Sequence, residues 1–147
     1  MINEGLNIMH NLKLRTPSEP EFNEICHCIS EFELDNRELQ REQFTAAFRD
    51  GQLLGFGRLR EHNDCTELCS LGVIAKERRK GIGKAIVSEL IRRAPADVYL
   101  VCIIPGFFHP FGFRIVEKYP AAIGNKLNYC TSELVVPETY TAMRLRK

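Results

Sequence analysis

The feature that most constrains the fold lies between residues 65 and 104. There a strand pattern runs into a basic glycine turn, then an amphipathic helix, then a second apolar run. Cys65 to Ile74 reads as the first strand, and Val73 to Ala85, VIAKERRKGIGKA, as the turn and helix start. From Gly81 to Arg93, Ile82, Ala85, Ile86, Leu90 and Ile91 fall on one face, while Lys84, Ser88, Arg92 and Arg93 fall away from it. Pro95 ends the helix. Asp97 to Ile104 is nearly continuous in apolar residues, the pattern of a central strand buried on both faces. Strand, helix and strand in this order demand a crossover between parallel strands, and such crossovers are right-handed.

The flanks add an antiparallel meander. Leu12 and Leu14 alternate with polar residues over Asn11 to Arg15, a first strand ending before Pro17. Ser18 is placed to cap a helix that carries Phe22, Ile25, Cys26 and Ile29 on its apolar face. Asp35 to Gln40 is expected as a second short helix. Phe44 to Arg49 and Gln52 to Arg60 are strands joined at Asp50-Gly51, a strong hairpin signal. Asn63-Asp64 turns the chain into the strand at Cys65. Past residue 104, Pro105 to Phe111 is short and aromatic, and strands are expected over Phe113 to Tyr119 and Tyr140 to Arg146. The expected fold class is α/β, an α+β mixed sheet with helices on both faces, in a single domain over residues 1–147.

Totals narrow the function. Apolar residues are 44% and charged residues 27%, ordinary for a globular chain. With a net charge of +1 no global field points to nucleic acid or a membrane, so the basic cluster Lys76 to Lys84 needs a local explanation. The first residues, MINEGLNIMH, do not read as a secretory signal, and no run approaches the roughly 20 apolar residues of a membrane span. The six cysteines include no C-x-x-C pair and read as free thiols in a reducing, cytoplasmic compartment. Cys26-His27-Cys28 has the composition of a metal cluster, but adjacent helical residues do not face one site, so no metal is expected.

The basic turn is a seat for an anion. A helix N-terminus offers unpaired N–H groups and about half a positive charge. Gly81 and Gly83 let a large anion approach the backbone, and Arg78, Arg79, Lys80 and Lys84 add charge. Together these suit a pyrophosphate. The nucleotide P-loop is excluded by its glycine spacing and terminal hydroxyl, and the dinucleotide fingerprint by Ile86 at its third glycine.

Arg78-Arg-Lys-Gly81-Ile-Gly83 resembles the acetyl-CoA loop, [RQ]-x-x-G-x-[GA], of the GNAT superfamily of N-acetyltransferases, and Leu68 to Ile74 resembles that family's fourth strand. The resemblance runs roughly from Leu12 to the C-terminus. It implies a GNAT-like fold whose fourth and fifth strands splay apart around the pantetheine arm. It implies acetyl-CoA held by Leu71, Gly72 and Val73 along the fourth strand and by Arg78 to Lys84, including Ile82, at the pyrophosphate. The acceptor amine would attack the acetyl carbonyl directly, without a covalent enzyme intermediate.

Glu67 lies where several family members keep a glutamate, and is expected to be the base. With period 2 it shares a face with Cys69, Leu71 and Val73, and an acid on an apolar strand face is poised to take a proton near neutral pH. Four residues, about 13 Å along a strand, separate Glu67 from Leu71, so the proton would pass through water. The alternative is a cross-strand ion pair with Arg58 or Arg60. The tyrosine that often protonates the leaving thiolate is replaced by Phe108 in Phe107-Phe108-His109-Pro110-Phe111-Gly112-Phe113. Phe108 is then a wall of the cosubstrate site; water, Tyr119, Tyr129 or His109 is left to supply the proton.

Glu67 to Val73, the Phe107-Phe108 pair, and Glu117 to Met143 resemble amino-acid N-acetyltransferases of the N-acetylglutamate synthase kind. That implies a small amine acceptor bearing a carboxylate, for which Arg58, Arg60 and Arg114 are the expected substrate-binding residues, with Lys126 near them. Other readings stay open: a non-catalytic acyl-CoA-binding or protein-interaction module, and a protein or peptide N-acetyltransferase favoured by the acidic run Glu31, Glu33, Asp35. A homodimer also stays open.

Overall fold

The computed structural model describes residues 11–134 and 136–147. Strands β1 (Lys13–Arg15), β2 (Phe44–Arg49), β3 (Gln52–Glu61), β4 (Thr66–Val73), β5 (Val98–Cys102), β6 (Arg114–Ile115) and β7 (Thr141–Leu145) form a seven-stranded sheet in the order β1-β2-β3-β4-β5-β7-β6. Helices α1 (Glu19–Glu31), α2 (Ile82–Arg93), α3 (Pro105–Phe108) and α4 (Ala121–Glu133) lie between them, with 3₁₀ turns at Arg41–Gln43, Ala75–Glu77 and His109–Phe111. The mixed α/β class with an antiparallel meander and a parallel β4–β5 pair is as expected. By internal contact the chain divides into two compact units: residues 11–58 with 70–93, and residues 59–69 with 94–147.

In the first unit, α1 starts at a complete capping box. Ser18 Oγ accepts from Glu21 N at 3.4 Å and the Glu21 carboxylate accepts from Ser18 N at 2.7 Å. Arg15 then grips both Glu21 oxygens at 2.8 and 2.9 Å, tying the end of β1 to the first turn of α1. The β2–β3 hairpin closes through Asp50 (φ 51°) and Gly51 (φ 78°), the left-handed pair of a type I′ turn, with Arg49 opposite Gln52. Ile25 and Ile29 of α1 pack with Phe44, Phe48 and Phe56 in a buried cluster. On β3, Gly55 and Gly57 bring α2 close. A Cβ at Gly57 would lie 2.7 Å from Leu90 Cδ1 and 2.9 Å from Ile86 Cγ2.

In the second unit, Thr66 and Glu67 at the start of β4 pair in parallel with Val98 and Tyr99 of β5. β7 runs antiparallel to β5 from Val98↔Leu145 to Cys102↔Thr141, and the two residues of β6 cover its other edge. Helix α4 packs on β5 and β7.

Four sequence expectations are corrected. Residues 35–40 are an irregular loop with a turn at 37–38, not a helix. The Asp35 carboxylate accepts from Arg37 N at 3.0 Å, a local bond that competes with helix, and Arg58 takes the carbonyls of Arg37 and Glu38. β5 is not buried on both faces: Val98, Leu100 and Cys102 are buried while Tyr99 and Val101 between them are half-buried. The strand expected over Phe113 to Tyr119 shrinks to Arg114–Ile115, a short edge with both residues exposed. Helix α4 was not anticipated, because Lys126 occupies an otherwise apolar position among Ile123 and Cys130, and Gly124, Asn125 and Asn128 are weak helix formers.

Candidate active site

The basic turn has the geometry of an anion seat. After Ala75–Glu77 the chain passes through Arg79 (φ 66°) and Gly81 (φ 84°), both left-handed, and enters α2 at Ile82. Ala85 N donates to Gly81 O at 3.1 Å, so the N–H groups of Ile82, Gly83 and Lys84 precede the first helical bond. A Cβ at Gly81 would meet nothing within 4 Å, so the space over this backbone is open. Arg78 is anchored by Nε to Val73 O at 3.0 Å and stacks on Phe32 at 5.3 Å, while Arg79, Lys80 and Lys84 stay exposed. Lys80 reaches Glu77 at 3.3 Å, a surface pair that leaves its charge at the turn. The donor set fits a pyrophosphate: N–H groups ahead of the first helical bond, open space over Gly81 and exposed cations.

Upstream, β4 does not alternate as expected. Ser70 sits at φ 49°, a left-handed residue inside a strand, and donates Oγ to Asp35 O at 2.8 Å. The left-handed residue breaks the period of 2, so Glu67 and Cys69 do not continue in simple register to Leu71 and Val73. Burial along the strand is unbroken from Thr66 to Ser70, and only Leu71 and Val73 are partly exposed. Gly72 is held by packing: a Cβ there would lie 2.6 Å from Phe56 Cζ. Nothing in the residue type of Ser70 signals this kink, which depends on the Asp35 carbonyl 35 positions away.

Glu67 is 0% exposed, and its neighbours are not those expected. Arg58 is engaged elsewhere, by Gln43, Arg37 and Glu38. His62 Nε2 lies 2.9 Å from Oε1, and Lys126 Nζ lies 3.0 Å from Oε2. The lysine is a close charge contact rather than an aligned hydrogen bond. Glu67 belongs to β4, His62 to the turn before it and Lys126 to α4, so the cluster ties three segments of the second unit together. The expected apolar surroundings are therefore replaced by a buried ionic cluster. Lys126 was noted in sequence; His62 was missed, and its position five residues before Glu67 across a hairpin turn was the available signal.

The three arginines expected to meet an acceptor diverge. Arg58 is 0% exposed. Its Nε donates to Gln43 Oε1 at 2.7 Å and its Nη2 to Arg37 O and Glu38 O at 2.7 and 2.8 Å. It pins the 37–43 segment instead of meeting solvent, and its Nη1 is left without a partner. Arg60 is half-buried, and Arg114 is exposed with Nη1 on Phe113 O at 2.9 Å. Phe108 is buried edge-on between Phe107 (5.0 Å) and Phe113 (5.7 Å). His109 is exposed. Tyr119 is 36% exposed, with its ring beside Gly124.

A strand running into a basic, glycine-opened turn at a helix start, beside a mixed sheet with one parallel pair, defines an acyltransferase of one family. The sequence model of the Acetyltransferase (GNAT) family matches residues 8–113, and the chain belongs to that family. Solved structures agree on the fold. N-acetylglutamate synthase from Neisseria gonorrhoeae, complexed with coenzyme A and N-acetyl-glutamate, superposes with a TM-score of 0.70 at 16% identity over 92% of this chain and 35% of that one. Rv2747 from Mycobacterium tuberculosis, in complex with CoA, gives 0.70 at 19% identity over 92% and 99%. Arabidopsis thaliana Naa50, in complex with the bisubstrate analogue CoA-Ac-MVNAL, gives 0.64 at 14% over 93% and 99%. The chain spans about a third of the length of the two Neisseria synthase chains. A search of curated proteins finds no match.

Proposed function

We propose that this chain is a single N-acetyltransferase domain that moves the acetyl group of acetyl-CoA to the primary amine of a small, amino-acid-like acceptor. The observation that carries this is the turn at Arg78 to Lys84, where the N–H groups ahead of α2, the open space over Gly81 and the exposed cations suit a CoA pyrophosphate. Leu71 to Val73 would lie along the pantetheine arm. In a ternary complex the amine nitrogen attacks the acetyl carbonyl and a tetrahedral oxyanion forms. The C–S bond then breaks as the carbonyl returns. The amine proton passes to Glu67 through water, and the CoA thiolate takes a proton from solvent, since Phe108 has none to give. The amino-acid acceptor is suggested by the N-acetyl-glutamate held in a synthase of like fold. Arg60 and Arg114 remain the candidates to meet a carboxylate, since Arg58 is enclosed.

Calorimetry with acetyl-CoA tests the loop first, comparing the native chain with Gly83→Asp. Micromolar binding abolished by the added carboxylate is the expected result. Absence of binding to the native chain would remove the acetyltransferase reading. An acceptor screen, beginning with glutamate and other amino acids and ending with a peptide N-terminus, then separates the small-amine reading from the peptide one. Naa50 and its bisubstrate analogue are the reason to include the peptide.

A further inference from the structure

A base that takes a proton in every turnover must also lose it, and Glu67 is closed to solvent on its own. Its two oxygens face two groups, Lys126 at 3.0 Å and His62 at 2.9 Å. An ammonium has three donors and no lone pair, so Lys126 cannot receive the proton, whereas an imidazole can take it on one nitrogen and release one from the other. The side chain of His62 is 18% exposed and lines an open cavity of about 550 Å³ at the β3–β4 turn.

We propose that His62 is the proton exit of the enzyme, carrying the acceptor's proton from the Glu67 carboxylate to water in this cavity. The inference rests on the reading of Glu67 as the base. The proton bound on Glu67 Oε1 moves to His62 Nε2, and the imidazolium releases a proton from Nδ1 to cavity water. Glu67 returns to the carboxylate and His62 to neutral imidazole, now with its proton on Nε2; a turn of the ring or exchange of its protons with cavity water resets the tautomer, and no co-reactant is needed.

The charged and titratable groups around His62 suit a transient imidazolium. Glu67 faces it from β4, with Lys126 of α4 on the far side of that carboxylate. The cavity wall adds Glu61 from β3, Asp64 and Cys65 from the turn, and Asp97 and Tyr99 from the start of β5. Three of these are carboxylates with their own partners. Glu61 accepts from Thr66 Oγ1 at 2.9 Å, Asp64 from Ala122 N at 3.3 Å, and Asp97 from Arg144 at 2.6 Å. They are held in place and supply a negative field around the ring without drawing the proton into a fixed pair.

The test uses the full chain with the amine found by the acceptor screen. His62→Gln keeps an N–H for Glu67 but cannot carry a proton, and His62→Ala leaves room for a free imidazole. Both are expected to lower kcat about a hundredfold, the low end of what a positioned acid–base group supplies. Acetyl-CoA affinity should stay native, and imidazole in the buffer should restore most of the rate of His62→Ala and none of that of His62→Gln. A native kcat and pH profile in His62→Gln would overturn the proposal, as would a loss in His62→Ala that imidazole does not repair, since that marks a purely structural histidine. If the native chain binds acetyl-CoA but acetylates no amine, the acetyltransferase reading itself falls, a result distinct from active native enzyme with unaffected His62 variants.

Discussion

At the scale of single residues, the buried carboxylate and the kinked strand make separate demands. Glu67→Gln keeps the size but removes the proposed proton acceptor, leaving one acceptor oxygen where the carboxylate faced both His62 and Lys126. It is expected to lower kcat by about 100- to 10,000-fold with acetyl-CoA affinity unchanged, which steady-state kinetics beside calorimetry would show. A fall in affinity without a fall in kcat would argue that Glu67 only shapes the site. Lys126→Met instead leaves Glu67 buried with one partner fewer, and removal of one member of a buried pair costs about 3–5 kcal/mol. Chemical denaturation measures this directly. Ser70→Val places a β-branched residue at φ 49° and removes the bond to Asp35 O, so a loss of about 2 kcal/mol or more is expected. The thiol of Cys65, on the cavity wall, is pushed up to about 12 by burial first and by the Asp64 charge next. It should therefore stay unmodified by a maleimide at pH 7, despite partial exposure.

At the scale of elements, the start of α1 and the contact between β3 and α2 are the places to probe. The Glu21 carboxylate is lowered from an ordinary 4.5 to about 2, chiefly by its hydrogen bonds from Arg15 and then by the Ser18 N–H. Its folded value lies below its unfolded one. Its contribution is therefore complete above pH ~4.5 and is lost as pH falls toward about 2. Glu21→Gln should flatten the acid limb of a stability-versus-pH curve in that window; an unchanged limb would show that the pair is too well solvated to matter. Gly57→Ala should be destabilising by about 1–3 kcal/mol, because its Cβ would press on Leu90 and Ile86 of α2.

Legibility in the sequence also divided by element. The cap at Ser18, the Asp50-Gly51 hairpin, α2 and the glycine turn were readable because each depends on neighbours within a few residues. Residues 35–40 were misread because Arg58, about 20 positions away, takes carbonyls that a helix would have used. The helix α4 was missed because its buried face includes Lys126, whose partner Glu67 lies on another strand. At the candidate site, the basic glycine turn was legible and the surroundings of Glu67 were not. An ion pair between an acid and a lysine 59 positions apart has no local signature.

At the scale of the whole molecule, neither compact unit is a continuous stretch of chain. The chain crosses from one to the other within β3, after Arg58, and within β4, after Cys69, and again after Arg93. A fragment ending at Arg93 keeps Thr66 and Glu67 but lacks Val98 and Tyr99, their partners on β5, and lacks Lys126 for the carboxylate. Such a fragment is expected to show no cooperative thermal transition by circular dichroism, whereas the full chain shows one. A cooperative transition in the fragment would mean that the first unit closes its core with β4 incomplete.

Local physics was enough for the sequence by itself to determine the strand, the basic glycine turn and the helix that follows it. Glycine freedom, unpaired N–H groups at a helix start and an apolar period of 3.6 are all set within a dozen residues. Only the tertiary structure decided which arginine is enclosed, where β4 kinks and what touches Glu67. Those outcomes depend on groups brought together from distant segments, where burial makes each polar atom seek a partner, and the chain order carries no record of which partner it finds.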